Sequence, residues 1–325
     1  MRNSMIRSAV QAGAVLALMA GSLALVSAPK PPFNKHQKGF YANPQLIAFV
    51  RPGLVVAIES ANIADDGTIT AQFKVTDPQG LPLDRTGVYT PGAVSTSFIA
   101  ATINKGDEQY TAYTTRLQTS PITKVSATQA GTDSGGTYQQ VGDGEYIYTF
   151  HTKAPTTLDR SATHSIGVYS SRNLTEFDLG TSFADNVYTF TPNGSAVKET
   201  RDVVKTAACN QCHNPLSAHG GARKSVELCV LCHTPQTVDP DTGNTVDFKV
   251  MVHKIHAGAS LPSVQAEGKY QIIGFGQSVN DYSTVVFPAD VRNCQFCHEP
   301  KNVALQPVPA SQGNATTSRP LTASW

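Results

Sequence analysis

The chain has 325 residues, 40% of them hydrophobic and only 15% charged, with a formal net charge of +1. That is apolar material for two ordinary domains, and no basic or acidic block points to nucleic acid. The low charge and the plentiful Gly, Ser and Thr suit an exported β-rich protein better than a cytosolic helical one.

Residues 1–28 read as a secretory signal. Arg2 and Arg7 supply the positive start, Ala12 to Ala24 the apolar stretch, and Val26-Ser27-Ala28 a small-residue cleavage site. The apolar stretch is short for a membrane span; an uncleaved N-terminal anchor is the alternative. The first cysteine is Cys209, so no lipid-acceptor cysteine follows the signal. Cleavage would remove two arginines and no acids, leaving +1 − 2 = −1.

From about Pro44 to Pro192 the sequence reads as β-strands. Ile69, Ala71, Phe73 and Val75 alternate with Thr70, Gln72 and Lys74, and the turn Asp77-Pro78-Gln79-Gly80 ends the run. Similar runs are expected at 55–58, 97–103, 145–151, 165–169 and 187–191, separated by turn chemistry such as Gly142-Asp143-Gly144. This predicts a mainly β antiparallel sandwich or Greek-key split barrel over 40–195. His36, His151 and His164 are isolated in this half and read as structural or exposed.

After Gly194 the strand pattern fades, and all six cysteines fall between Cys209 and Cys297. This segment, 196–325, has too few apolar residues for a core of its own; a large apolar prosthetic group would fill the deficit. Short helices and little regular structure are expected there.

The cysteines form three Cys-x-x-Cys-His motifs: Cys209/Cys212/His213, Cys229/Cys232/His233 and Cys294/Cys297/His298. This is the attachment signature of c-type haem. Two cysteines three apart on a helical turn share a face, so both sulfurs reach the two vinyl groups of one porphyrin. The histidine that follows is then held beneath the ring, where an imidazole nitrogen meets the iron. Three motifs predict three covalently attached haems.

Two rivals use the same cysteines. Sixteen residues separate Cys212 from Cys229, a spacing that fits a zinc ribbon in a zinc-stabilised surface β-protein. Three disulfides are the other rival. Neither explains a histidine after every pair.

The second axial ligand decides between electron transfer and chemistry at iron. Beyond the motifs this half holds three histidines, His219, His253 and His256, and a single methionine, Met251. The simplest assignment is bis-histidine ligation throughout, which leaves no open position for substrate and favours electron transfer. His253 and His256, three apart on an expected helix, project side by side and would each cap a different haem. Gly220-Gly221, after His219, would let backbone pass close to a porphyrin or turn with positive φ. The pairing of these histidines with the motifs stays open.

At Cys209–Arg223, Met251–His256 and Phe287–Cys294, and in the β half at Arg51–Leu54 and 131–136, the chain resembles the outer-membrane decahaem c-type cytochromes of the OmcA/MtrC family. The resemblance implies a split Greek-key β-barrel followed by the start of a multihaem domain, with His213, His233 and His298 as proximal and His219, His253 and His256 as distal ligands. It implies electron export at the cell surface or outer membrane to metal oxides, electrodes or soluble shuttles. Other multihaem cytochromes and an outer-membrane porin-cytochrome complex would be the partners. Family members carry ten haems, and the polar stretch Gln306–Trp325 holds no further motif, so the expectation is the N-terminal part of a longer protein. A complete three-haem periplasmic shuttle is the alternative. An electron-transfer protein is expected rather than an enzyme, with terminal metal-reductase activity reserved for a full-length form.

Overall fold

The computed structural model describes residues 33–298; the expected signal at 1–28 and the polar tail from Gln306 lie outside them. Residues 33–43 belong to a unit separate from the rest of the chain. In it a 3-10 turn spans Lys38–Phe40, and Phe40 meets Tyr41 edge-on.

The second unit begins with helix α1 (Pro44–Val50). This stretch was expected to belong to the strand-rich part. Proline at the first helical position, where its missing N–H costs nothing, starts the helix instead. Ten strands follow: β1 (Val55–Ile63), β2 (Thr68–Thr76), β3 (Val94–Ile103), β4 (Thr111–Ala112), β5 (Thr115–Thr119), β6 (Ser126–Ala130), β7 (Thr137–Gly142), β8 (Glu145–Lys153), β9 (Thr163–Asn173) and β10 (Thr181–Phe190). They form two four-stranded antiparallel sheets, ordered β1-β2-β8-β7 and β10-β9-β3-β4, and a separate β5–β6 hairpin. The mainly β antiparallel architecture is the one the turn and alternation pattern predicts.

The alternating residues of β2, from Ile69 to Val75, are fully buried between the sheets. They meet Phe98, Ala100, Ile166 and Val168 of the second sheet, and Phe98 stacks on Tyr148 at 4.3 Å between centroids. Strand β3 does not alternate in this way; its last six residues are all buried. The reason is a second apolar layer on its far side. Ile99, Ala101 and Ile103 pack against Val203, Val226, Leu228, Leu231 and Phe248 from the cysteine-rich segment. That segment therefore shares a core with the sheet instead of building its own.

Two buried polar residues tie the β layers together. Arg172 on β9 is fully buried and donates to the carbonyl oxygens of Val50, Arg51, Gly53 and Pro91. His164 is also buried; its Nδ1 bonds the Ala162 carbonyl, and its Nε2 lies 2.8 Å from the Tyr113 hydroxyl. The carbonyl can only accept, so Nδ1 carries the proton and Tyr113 donates to Nε2. Desolvation by burial lowers the pKa of His164 below the ordinary 6.5. The neutral ring is the form the fold favours, so its stabilisation is complete above pH 6.5 and lost as pH falls through and below that value. Urea midpoints should therefore drop from pH 7 to pH 5, and the drop should shrink in His164→Gln. An equal drop in both proteins would show that other groups carry it.

Candidate functional site

The cysteine-rich segment is threaded on four short helices: α2 (Thr206–Cys209), α3 (Val226–Cys232), α4 (Phe248–Ala257) and α5 (Pro262–Gln265). The first motif leaves the end of α2, the second is the last turn of α3, and the third sits on a 3-10 turn at Cys294–Phe296. All three share one local geometry. In each, the histidine N–H bonds the carbonyl of the first cysteine, at 2.9 Å for His213, 2.9 Å for His233 and 2.8 Å for His298. This helical turn puts both sulfurs and the imidazole on one side of the backbone.

Helix α3 forms because Ser225 caps it, its side chain accepting from the Leu228 N–H. Its buried residues Leu228 and Leu231 press on β9 at Gly167. A Cβ there would come within 2.6 Å of Leu228 Cδ1 and 2.7 Å of Leu231 Cδ1. Gly167→Ala should therefore cost about 1–3 kcal/mol by overpacking, read as a lower urea midpoint. An unchanged midpoint would mean that α3 does not seat on β9.

Helix α4 is capped by Asp247, buries Phe248, and sets Met251 and Val252 against the shared core. His253 and His256 lie elsewhere on the same helix and face different partners. The His253 and His298 rings stand 5.9 Å apart between centroids, and the His256 and His213 rings 6.2 Å. The third spare histidine, His219, faces His233 at 5.8 Å. Each motif histidine is thus matched with one non-motif histidine. Two nitrogens each roughly 2 Å from a first-row metal, plus about 1.1 Å from nitrogen to ring centre at each end, give a centroid separation of roughly 6.2 Å. The three pairs fit a single ion held between two imidazoles.

The tautomers agree with that. Nδ1 of His233, His298, His253 and His256 lies 2.9, 3.0, 2.5 and 2.8 Å from the carbonyls of Val246, Val203, Lys249 and Val252. A carbonyl fixes the proton on Nδ1 and leaves the Nε2 lone pair for a ligand. Desolvation by burial holds His233 and His298 below the ordinary value. It also takes His219 down to about 4, helped by Arg223, His233 and Arg116. A neutral imidazole is what binds metal.

His219 has φ +51, and Gly220 and Gly221 continue in the left-handed region at +72 and +98. Both glycines turn, as the sequence allowed. The turn is closed by paired backbone bonds between Ala218 and Arg223, and it presents His219 to His233. For a histidine this backbone conformation is sparsely populated, a strain that the surrounding turn holds in place.

All six cysteines are free thiols. Burial pushes Cys229 up to about 12 and Cys232 up to about 11, and raises Cys209 and Cys297 in the same direction. Among the described residues no three His, Cys, Asp or Glu side chains converge as a metal site. The pairs supply two axial donors each and leave the equatorial positions to a non-protein group, which suits a macrocycle. Direct contacts order the motifs. Thr206, at the start of α2, accepts from the Val226 N–H and donates to Glu227 of α3, while His213 meets His256, one turn from His253 of the third pair. The first motif therefore neighbours both of the others.

Residues 201–323 match the family described as outer membrane cytochrome MtrC/MtrF-like, domains II/IV. The multihaem cytochrome MtrC of Shewanella baltica (strain OS185) is 31% identical over 144 residues, 40% of this chain and 21% of the relative. The crystal structure of the outer membrane decahaem cytochrome OmcA superposes with a TM-score of 0.61 at 26% identity, over 76% of this chain and 40% of that one. The structure of MtrC from Shewanella baltica OS185 aligns over 76% of this chain and 35% of its own, with a TM-score of 0.47 and 23% identity. The chain spans between a fifth and two fifths of the length of these relatives. Residues 201–323 thus carry an outer membrane cytochrome MtrC/MtrF-like domain, and the chain is similar in fold to the decahaem cytochrome OmcA.

Proposed function

We propose that the chain is an exported multihaem c-type cytochrome segment that moves electrons at the cell surface. Haem c at each motif would be held by thioethers from Cys209 and Cys212, Cys229 and Cys232, and Cys294 and Cys297. The axial pairs would be His213 with His256, His233 with His219, and His298 with His253. The observation that carries this reading is the matching of every motif histidine with one non-motif histidine at 5.8–6.2 Å. Haem c held by these residues would supply a one-electron carrier at each motif.

The chain's own residues do the rest. The Nδ1–carbonyl bonds orient four of the six rings. Helix α4 brings two sites together, because His253 and His256 are neighbours on it. The first motif, between the other two, makes its site the middle of a three-site relay. The β layers, residues 40–195, would be a scaffold for the multihaem part from 196 onwards. Terminal acceptors would be metal oxides, electrodes or soluble shuttles. Other multihaem cytochromes, with or without a porin, would be the neighbours, as the MtrC and OmcA likeness leads one to expect.

Intact mass with a pyridine haemochrome assay on matured protein should give three covalent haems; fewer would refute the count. The ligand planes make a second prediction. The His213 and His256 rings are 77° apart, against 35° for His219 and His233 and 19° for His253 and His298. Nearly crossed imidazoles leave two iron d orbitals close in energy. One ferric site should therefore give a strongly anisotropic low-spin EPR signal, lost in His256→Ala, and two should give ordinary rhombic ones. High-spin iron throughout would sink the axial assignment.

A further inference from the structure

A cavity of about 450 Å³ lies between β10, the segment 200–205 and the first turn of α3. Among the described residues neither a cysteine nor a histidine lines it, so it is distinct from the three histidine pairs. The most deeply buried charge on its wall is Arg201, 8% exposed. A buried guanidinium in this fold can be fully used by the protein: Arg172 bonds carbonyl oxygens through Nε, Nη1 and Nη2 alike. Arg201 is not used in that way. It donates once, from Nη1 to the Glu108 carbonyl at 2.9 Å, and its Nε and Nη2 have no hydrogen-bond partner among the described residues.

No described acid forms an ion pair with Arg201; Asp247 attracts it from a distance, but that carboxylate caps α4 and accepts from Gln109. A planar fork with donors to spare, facing a cavity, matches a carboxylate. The rest of the wall is of a different character. Asp185 takes the Lys224 and Ser225 N–H groups and the Ser225 hydroxyl all on Oδ2, and its Oδ1 accepts nothing from the described residues. Glu227 accepts from the Thr206 hydroxyl on Oε2, and its Oε1 is likewise unbonded. Asp202 and Lys205, also on the wall, pair with each other. Between the polar groups stand Val187, Val204, Val226 and Val230.

One buried cation, two acids with an oxygen to spare and four valines describe a ligand that carries both charges and an apolar body. We propose that this cavity binds a small zwitterion of the amino-acid class with an aliphatic side chain. Its carboxylate lies on Arg201, its ammonium on Asp185 and Glu227, and its side chain on the valines. A dianion would meet the two acids, and a plain cation would meet Arg201, so neither satisfies the whole wall. The volume lies within the range of small-molecule sites. The proposal does not depend on the haem reading, since no motif residue lines the cavity.

The test is calorimetric titration of L-leucine into the full matured chain, with two analogues beside it. Leucinamide lacks the carboxylate and 4-methylpentanoate lacks the ammonium; each should bind roughly tenfold more weakly than leucine, the worth of one charge-assisted contact. Arg201→Gln should weaken leucine by a similar factor and erase its advantage over leucinamide. Glu227→Gln, at an exposed position, should weaken leucine severalfold and reduce its advantage over 4-methylpentanoate. A purely structural role for either residue would lower binding of all three probes together and leave their order unchanged. Should Arg201→Gln fail to fold, Glu227→Gln and the two analogues carry the same test. Wild-type protein that takes up no leucine, or that binds the three probes equally, would overturn the proposal. Haem number by intact mass on the same samples is a separate result, so failure here and failure of the cytochrome reading are told apart.

Discussion

A chain in which Cys209 and Cys212 are both alanine should mature with two haems instead of three, and electrons should pass between those two slower by orders of magnitude. The expectation follows from the position of the first motif. Its helix is tied to that of the second motif through Thr206, Val226 and Glu227, and its histidine is matched with His256, one helical turn from His253 of the third site. Loss of a middle carrier lengthens the remaining hop, and transfer falls off steeply with distance. Replacing Cys294 and Cys297 instead removes an end and should leave exchange between the other two intact. Partial reduction followed by rapid freezing and EPR would separate these cases. If the two outer sites still equilibrate at the wild-type rate in the Cys209/Cys212 double variant, the relay order is wrong.

Arg172→Met should be the most damaging single change in the β layers. The guanidinium is fully buried and feeds the carbonyls of Val50, Arg51, Gly53 and Pro91, which belong to the α1–β1 connection and to the loop before β3. Methionine fills much of the same space but donates nothing. Each buried carbonyl left without a partner costs about 1–3 kcal/mol, so a loss on the order of 3–5 kcal/mol is expected after local relaxation. That is a large fraction of the stability of a domain of this size. Urea unfolding of the matured protein measures it. Arg172→Lys should recover only part, since one ammonium cannot span four carbonyls set around a planar fork. A change within about 1 kcal/mol for the methionine variant would mean that these carbonyls find other partners or water.

Much of this was legible in the residues, and the gaps have physical causes. Strand β2 could be read because one of its faces is buried and the other is not, so hydrophobicity alternates along it. Strand β3 was read short, from Ser97, and its unbroken burial was not foreseen. Periodicity cannot show that a second layer lies behind a strand when that layer is contributed more than a hundred residues later. The β5–β6 hairpin escaped notice for the opposite reason: its residues are largely exposed and polar, with weak alternation. The motifs were legible because their chemistry is local, five consecutive residues on one turn. Which spare histidine meets which motif was not, since His213 and His256 are brought together by how α2 and α4 pack on a shared core.

The chain order of the matched histidines sets an order of assembly. His219 precedes His233, so when the chain emerges from its N-terminus the second site has both imidazoles as soon as residue 233 is out. The first site must wait until His256 arrives, 256 − 213 = 43 residues after its own motif histidine. The third already has His253 waiting when His298 appears. On the proposed haem reading, the first site would be the one left half-clasped longest, and α4 the latch that closes it and readies its neighbour in one motion.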